Sequence, residues 1–199
     1  MKETARKIIC PTESDEMNVK RIVRYLKGAP SAKCLIEIVT PPKFVNVYTD
    51  SDWAGQPMTC KSTCGGVVQW GNATLTACSR TQQTLSLSSA EAELYALTIG
   101  IAEEMVTKHL LQELGHEVTL TNHVDSQSAK AWASRRGLGR MKHVMLKYMF
   151  VQDVVEKKLT NLAYINTKVN KAVLMTKCHT SEAHKRGCAM LGLRLNRDE

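Results

Sequence analysis

The chain has 199 residues, 43% of them hydrophobic, which suits one domain with extra segments or at most two small ones. A formal charge of +8 and a pI near 9.2 point to a polyanionic partner, nucleic acid before membrane. No charged-then-apolar leader and no long apolar run stand in the sequence, and its seven scattered cysteines do not read as a disulfide framework, so a secreted or membrane-spanning protein is not expected.

In chain order, "MNVKRIVRYLKGAP" places Val19, Ile22, Val23 and Leu26 at helical spacing, with Gly28 and Pro30 as stop signals. Residues 31–43 run into Pro41-Pro42, which can continue neither a helix nor a central strand and so marks a boundary. "KFVNVYTD" reads as a first strand, and "CGGVVQW" and "ATLTACS" as a second and third joined at Gly71-Asn72. "SLSSAEAELYALTIGIAEEMVTKHLLQELG" is a long helix with Ser88 and Glu91 at capping-box spacing. Leu94, Leu97, Ile101 and Met105 form its apolar stripe, and Gly115 ends it. "EVTLTNHVD" alternates as a fourth strand; "SQSAKAWASRRG" is a short helix with Ser126 and Ser128 as cap residues, and "HVMLKYMFVQDVVEKK" a longer one. "LTNLAYIN" is a fifth strand, and a helix from about Thr167 to Lys177 follows. The order βββαβααβα predicts an α/β fold, a mixed sheet with helices on its faces.

Two strands end on acids, Asp50 in "VYTDSDWAG" and Asp125 in "HVDS". Were those strands parallel neighbours, both acids would meet at the carboxyl edge of the sheet. The long helix adds Glu91 and Glu93, which point about 200° apart, so at most one faces the sheet. Glu93 lies four residues before Leu97 on the apolar stripe and faces inward; Glu91 is expected to be solvated as part of the cap. Three inward carboxylates repel unless a divalent cation neutralises them, and oxygen donors suit magnesium or manganese rather than zinc. Spacing alone leaves two readings open, this metal site or solvated acids at strand ends.

Other motifs carry less. "SRRGLGRMKH" gathers Arg135, Arg136, Arg140, Lys142 and His143, either as a solvated turn or as a grip on phosphates. Cys178, His179, His184 and Cys188 match no common zinc spacing, and Cys60 and Cys64 read as ordinary thiols. Trp53, Trp70 and Trp132 are expected to pack, with base stacking as the second reading; Met141, Met145, Met149 and Met190 are core filling, and His123 is structural. Asn72-Ala73-Thr74 spells a glycosylation sequon that is idle without secretion.

"YTDSDWAG", "KSTCGGVV", "LSLSSAEAELYAL", "HVDSQSAKAWA", "MKHVMLKYMFVQDVVEK" and "NKAVLMTK", in that order between Phe44 and Lys177, resemble the ribonuclease H domain of copia-type retrotransposon polyproteins. "NVKRIVRYLKG" is similar to the end of the reverse transcriptase region that precedes that domain. The resemblance implies three parts: residues 1–43 from the reverse transcriptase region, a ribonuclease H-like domain over 44–177, and a carboxyl-terminal tail with a short helix over 178–199. It implies a five-stranded mixed sheet, three antiparallel strands and then parallel ones, flanked by helices. It also implies two-metal hydrolysis of the RNA strand of RNA–DNA hybrids during reverse transcription, with Mg2+, or Mn2+ in its place. Carried over motif by motif, Asp50, Glu93 and Asp125 are catalytic metal ligands, and Gln127 and Ser89 face the minor groove of the hybrid.

The family's fourth acid falls where "KAVLMTK" has Val173, although Ala172, Thr176 and Lys177 fit the pattern. Asn170 offers only a neutral oxygen nearby. The expectation is therefore slow hydrolysis or none, the alternative being an inactive nucleic-acid-binding module or a decayed remnant. Implied partners are the hybrid and the reverse transcriptase region of the same polyprotein, with no membrane, in the cytoplasm (within a virus-like particle) or nucleus.

Overall fold

A computed structural model describes residues 4–5, 7–36, 40–137 and 148–194. The chain divides into two compact units, residues 1–35 with 193–199, and residues 36–192. In the first, helix α1 (Glu13–Lys27) starts a turn before the predicted apolar stripe. Thr12 caps it by accepting the Asp15 N–H, while the Asp15 carboxylate takes the Thr12 N–H at 3.0 Å. That reciprocal pair is a capping box in "PTESD". Strand β1 (Lys33–Cys34) pairs antiparallel with β7 (Leu193–Arg194).

The second unit is built on β2 (Phe44–Asp52), β3 (Thr63–Trp70), β4 (Ala73–Thr81), β5 (Thr119–Val124) and β6 (Asn161–Tyr164), in the spatial order β4-β3-β2-β5-β6. The first three are antiparallel neighbours, and β2–β5 and β5–β6 are parallel. This is the expected five-stranded mixed sheet. Gly71, at φ +59°, makes the tight β3–β4 turn that a side chain would strain. Helix α2 (Ser89–Glu113) lays Leu94, Leu97 and Ile101, all fully buried, against the sheet. Gly100 lets it lie close: a Cβ there would stand 2.4 Å from the Thr49 methyl. Helices α3 (Gln127–Ala133) and α4 (Met149–Glu156) add Trp132, Val151 and Val154 to that core. The predicted start of the α4 segment, with Met141 and Met145, lies outside the described residues.

The helix expected over Thr167 to Lys177 is not continuous. A 3-10 turn, Thr167–Val169, is followed by the one-turn helix α5 (Val173–Thr176). Asn170 causes the break. It is 2% exposed and extended at φ −71° and ψ 113°, and its carboxamide donates to Thr49 O at 2.9 Å while accepting the Ala172 N–H at 3.1 Å. Asn side chains compete with helical hydrogen bonds in this manner. Helix α6 (Ser181–Met190) follows, capped by Thr180. Gln69 and Thr74 reach the carbonyls of Met190 and Leu191, and Gly187 leaves room for Leu174, so the chain as far as Gly192 packs with the α/β unit. The compact units divide near residues 35 and 192. None of the seven cysteines forms a disulfide, and among the described residues no helix is long and apolar enough to cross a membrane.

Candidate metal centre

Parallel pairing of β2 and β5 runs to Tyr48 opposite His123, and continuing that register sets Asp50 beside Asp125. Helix α2 supplies Glu93, its start fixed by the Ser88 hydroxyl, which accepts the Glu91 N–H at 3.2 Å. One carboxylate oxygen from each of Asp50, Glu93 and Asp125 lies within 4.8 Å of the others. Glu93 is held by the Ser51 N–H at 3.2 Å, and Asp50 is 1% exposed. Burial, with Asp50 and Asp125 adding repulsion, pushes the Glu93 carboxyl up to about 8. Burial also raises Asp50, against the opposing effects of Thr176 and Lys177. A cluster of oxygen donors that resists ionisation through burial, and through mutual repulsion after it, fits a hard divalent cation.

The second acid of the opening motif does something else. Asp52 accepts the Thr63 N–H and lies over Gly55, where a Cβ would meet its carboxylate, so it closes the loop after β2. Gln82 ties that region together from the β4–α2 connection. Its amide nitrogen is within hydrogen-bond distance of Ser51 Oγ, Cys64 Sγ and Ala92 O, and its oxygen accepts from Ser86 Oγ at 2.6 Å.

Helix α5 closes the other side. Gly65 pairs with Asp50 across β2 and β3, and a Cβ on it would stand 2.6 Å from Ala172 O and 2.8 Å from the Thr176 methyl. Its bareness lets α5 reach the sheet. There the Thr176 hydroxyl donates to Asp50 Oδ2, and Lys177 Nζ stands 3.6 Å from Asp50 Oδ1. Val173, half-buried, begins α5 and presents its carbonyl to His179 Nε2 at 2.9 Å. Among the described residues no fourth acid joins the cluster. Asn170 donates to Thr49 O and accepts the Ala172 N–H.

Of the residues expected at nucleic acid, Ser89 is exposed at the start of α2 and Gln127 at the start of α3, two positions after Asp125. Arg135 and Arg136 are exposed, and Arg136 pairs with Glu156. Arg140 and Lys142 lie outside the described residues. Glu91 is not solvated. It is 8% exposed and takes the Leu87 N–H at 2.7 Å, one residue earlier than a capping box requires. Ser126 caps α3 through the Ala129 N–H; Ser128 instead bonds the Ser126 hydroxyl. Cys188 lies 3.5 Å from His184 Nδ1, and among the described residues neither joins a group with metal-binding spacing. Trp132 is core, Trp70 donates to Pro42 O, and Trp53 is exposed with its indole N–H on Ser86 O.

Thr176, Lys177 and Gln82 were not assigned to the site from sequence. The first two stand in the motif that drew notice for its missing acid, and Gln82, in "RTQQ", carries no signal at all.

The solved N-terminal ribonuclease H domain of a Mycobacterium tuberculosis protein matches 73% of this chain and 96% of its own length, with a TM-score of 0.51 and 16% identity. The chain therefore has the ribonuclease H fold. No family model matches it. The retrovirus-related Pol polyprotein of the Nicotiana tabacum transposon TNT 1-94 is 32% identical over 161 residues, covering 80% of this chain. That of the Arabidopsis thaliana transposon RE1 is 27% identical over 186 residues, covering 92%. This chain is a relative of the retrovirus-related Pol polyproteins of plant transposons, and it spans only 12% and 13% of the length of those two.

Proposed function

We propose that this chain is the ribonuclease H domain of a copia-type retrotransposon polyprotein, binding RNA–DNA hybrid and hydrolysing its RNA strand slowly. The observation that carries the reading is the meeting of Asp50, Glu93 and Asp125 at one sheet edge, with Val173 at the start of the helix beside it. Asp50, Glu93 and Asp125 would hold Mg2+ or Mn2+, whose charge stabilises attacking and leaving oxygens in phosphodiester hydrolysis. The chain's own groups do the rest. Ser51 N–H orients Glu93, and Thr176 and Lys177 orient Asp50. No side-chain nucleophile is needed.

Gln127 and Ser89, exposed beside the acids, are assigned to the minor groove of the hybrid. Arg135, Arg140 and Lys142 are assigned to its phosphates, as is Arg136 once released from Glu156. The reverse transcriptase region of the same polyprotein is the covalent neighbour, and the working compartment is the cytoplasm, within a virus-like particle, or the nucleus.

With one acid replaced by an aliphatic group, the expected loss is of the order of 10²–10³ in rate, the size seen when one stabilising group is removed from a charge-developing site. Installing the acid tests this: Val173→Asp should speed cleavage of a labelled hybrid in Mg2+ by about that factor. Equal rates for the natural chain and the variant would overturn the reading.

A further inference from the structure

We propose that Lys177 is a built-in counter-ion of the carboxylate cluster, so that the centre takes a single divalent cation, which binds against the lysine ammonium. The inference rests on the metal reading above and adds a regulator of its occupancy.

Asp50 is 1% exposed, and α5 engages both of its carboxylate oxygens, Oδ2 through the Thr176 hydroxyl and Oδ1 through Lys177 at 3.6 Å. An ion pair with both ends in solvent is worth little. This one differs, because only the lysine end, at 45% exposure, is wet, while the carboxylate end is sealed under α5. The approach is also fixed from behind. Gly65 admits the helix, and the backbone leaves it at Lys177 with φ −121° and ψ 156°, directly after Thr176.

Formal charge then sets the capacity. With all three acids ionised, as metal binding requires, three carboxylates and one ammonium leave two negative charges, which one divalent cation cancels; a second ion would leave two positive charges uncompensated. Val173 supplies no acid to change that balance. A cation entering the cluster meets the lysine's repulsion and must compete for Asp50. In the absence of a cation, Lys177 is the ammonium within reach of the cluster among the described ion pairs, and it relieves part of the repulsion among the acids.

The test is calorimetric titration of Mn2+ into the full chain and into Lys177→Met and Lys177→Arg, with melting curves in EDTA and in Mn2+. The natural chain should bind one ion. Lys177→Met should bind it about tenfold more tightly, the size expected of one partly screened charge near a ligand oxygen, and Lys177→Arg should stay within about twofold. Lys177→Met should melt lower than the natural chain in EDTA and gain more on adding Mn2+, a readout that serves even if it is poorly folded without metal. Unchanged or weaker binding by Lys177→Met, a smaller gain in melting temperature, or two ions on the natural chain would each overturn the proposal. If the natural chain binds one ion and the methionine variant is indifferent, only the lysine's role falls. If neither binds, the metal reading falls with it.

Discussion

Glu104 is a strongly buried carboxyl outside the acid cluster. It stands on α2 and is 0% exposed. Burial pushes its carboxyl from an ordinary 4.5 up to about 8, with Thr160 and Lys108 opposing. The native state therefore keeps its proton through a range where the unfolded chain has lost it. Stability is unaffected by this group below pH 4.5 and falls as pH rises from there to about 8. At about 1.4 kcal/mol per unit, the loss is at most about 5 kcal/mol. Glu104→Gln, which mimics the protonated acid, should match the natural chain in urea denaturation at pH 5 and exceed it at pH 8. A variant less stable at pH 8 would refute the assignment. Nothing in the sequence singles out Glu104, which sits beside Glu103 in the long helix. Asp50, Glu93 and Asp125 were legible because strand ends and a helical stripe have fixed geometries. Lys177 was not, since its partner lies on a strand more than a hundred residues earlier.

Secondary structure with a strong period was readable: the five strands, the long helix and the hairpin at Gly71 fall where alternation, apolar spacing and turn residues put them. The region after β6 was not, because Asn170 sits in a helical-looking run and its buried carboxamide overrides propensity. The seating of α5 depends on a residue in another strand. Gly65 faces Ala172 O, Met175 Cβ and Thr176 Cγ2 at 2.6–2.9 Å from where a Cβ would stand. Backbone is among these neighbours, so α5 must shift rather than a side chain rotate. Gly65→Ala should cost about 1–3 kcal/mol in urea denaturation, as overpacking does, and weaken Mn2+ binding by detaching Thr176 and Lys177 from Asp50. A variant as stable as the natural chain, with unaltered ion affinity, would show that α5 does not hold Asp50.

The chain is a ribonuclease H fold in which three acids meet, with a valine on the helix beside them and a formal charge of +8. It represents about an eighth of the Pol polyproteins it resembles, 12% and 13% in the two compared. Everything proposed for it depends on Asp50, Glu93 and Asp125 acting as one cation site. At 22.2 kDa the chain is within reach of amide NMR, and substoichiometric Mn2+ broadens resonances near wherever it binds. The account predicts that the amides of Asp50, Ser51, Glu93 and Asp125 broaden first and together, and that Mg2+ in excess restores them. Broadening centred elsewhere, or none at these four positions, would contradict it.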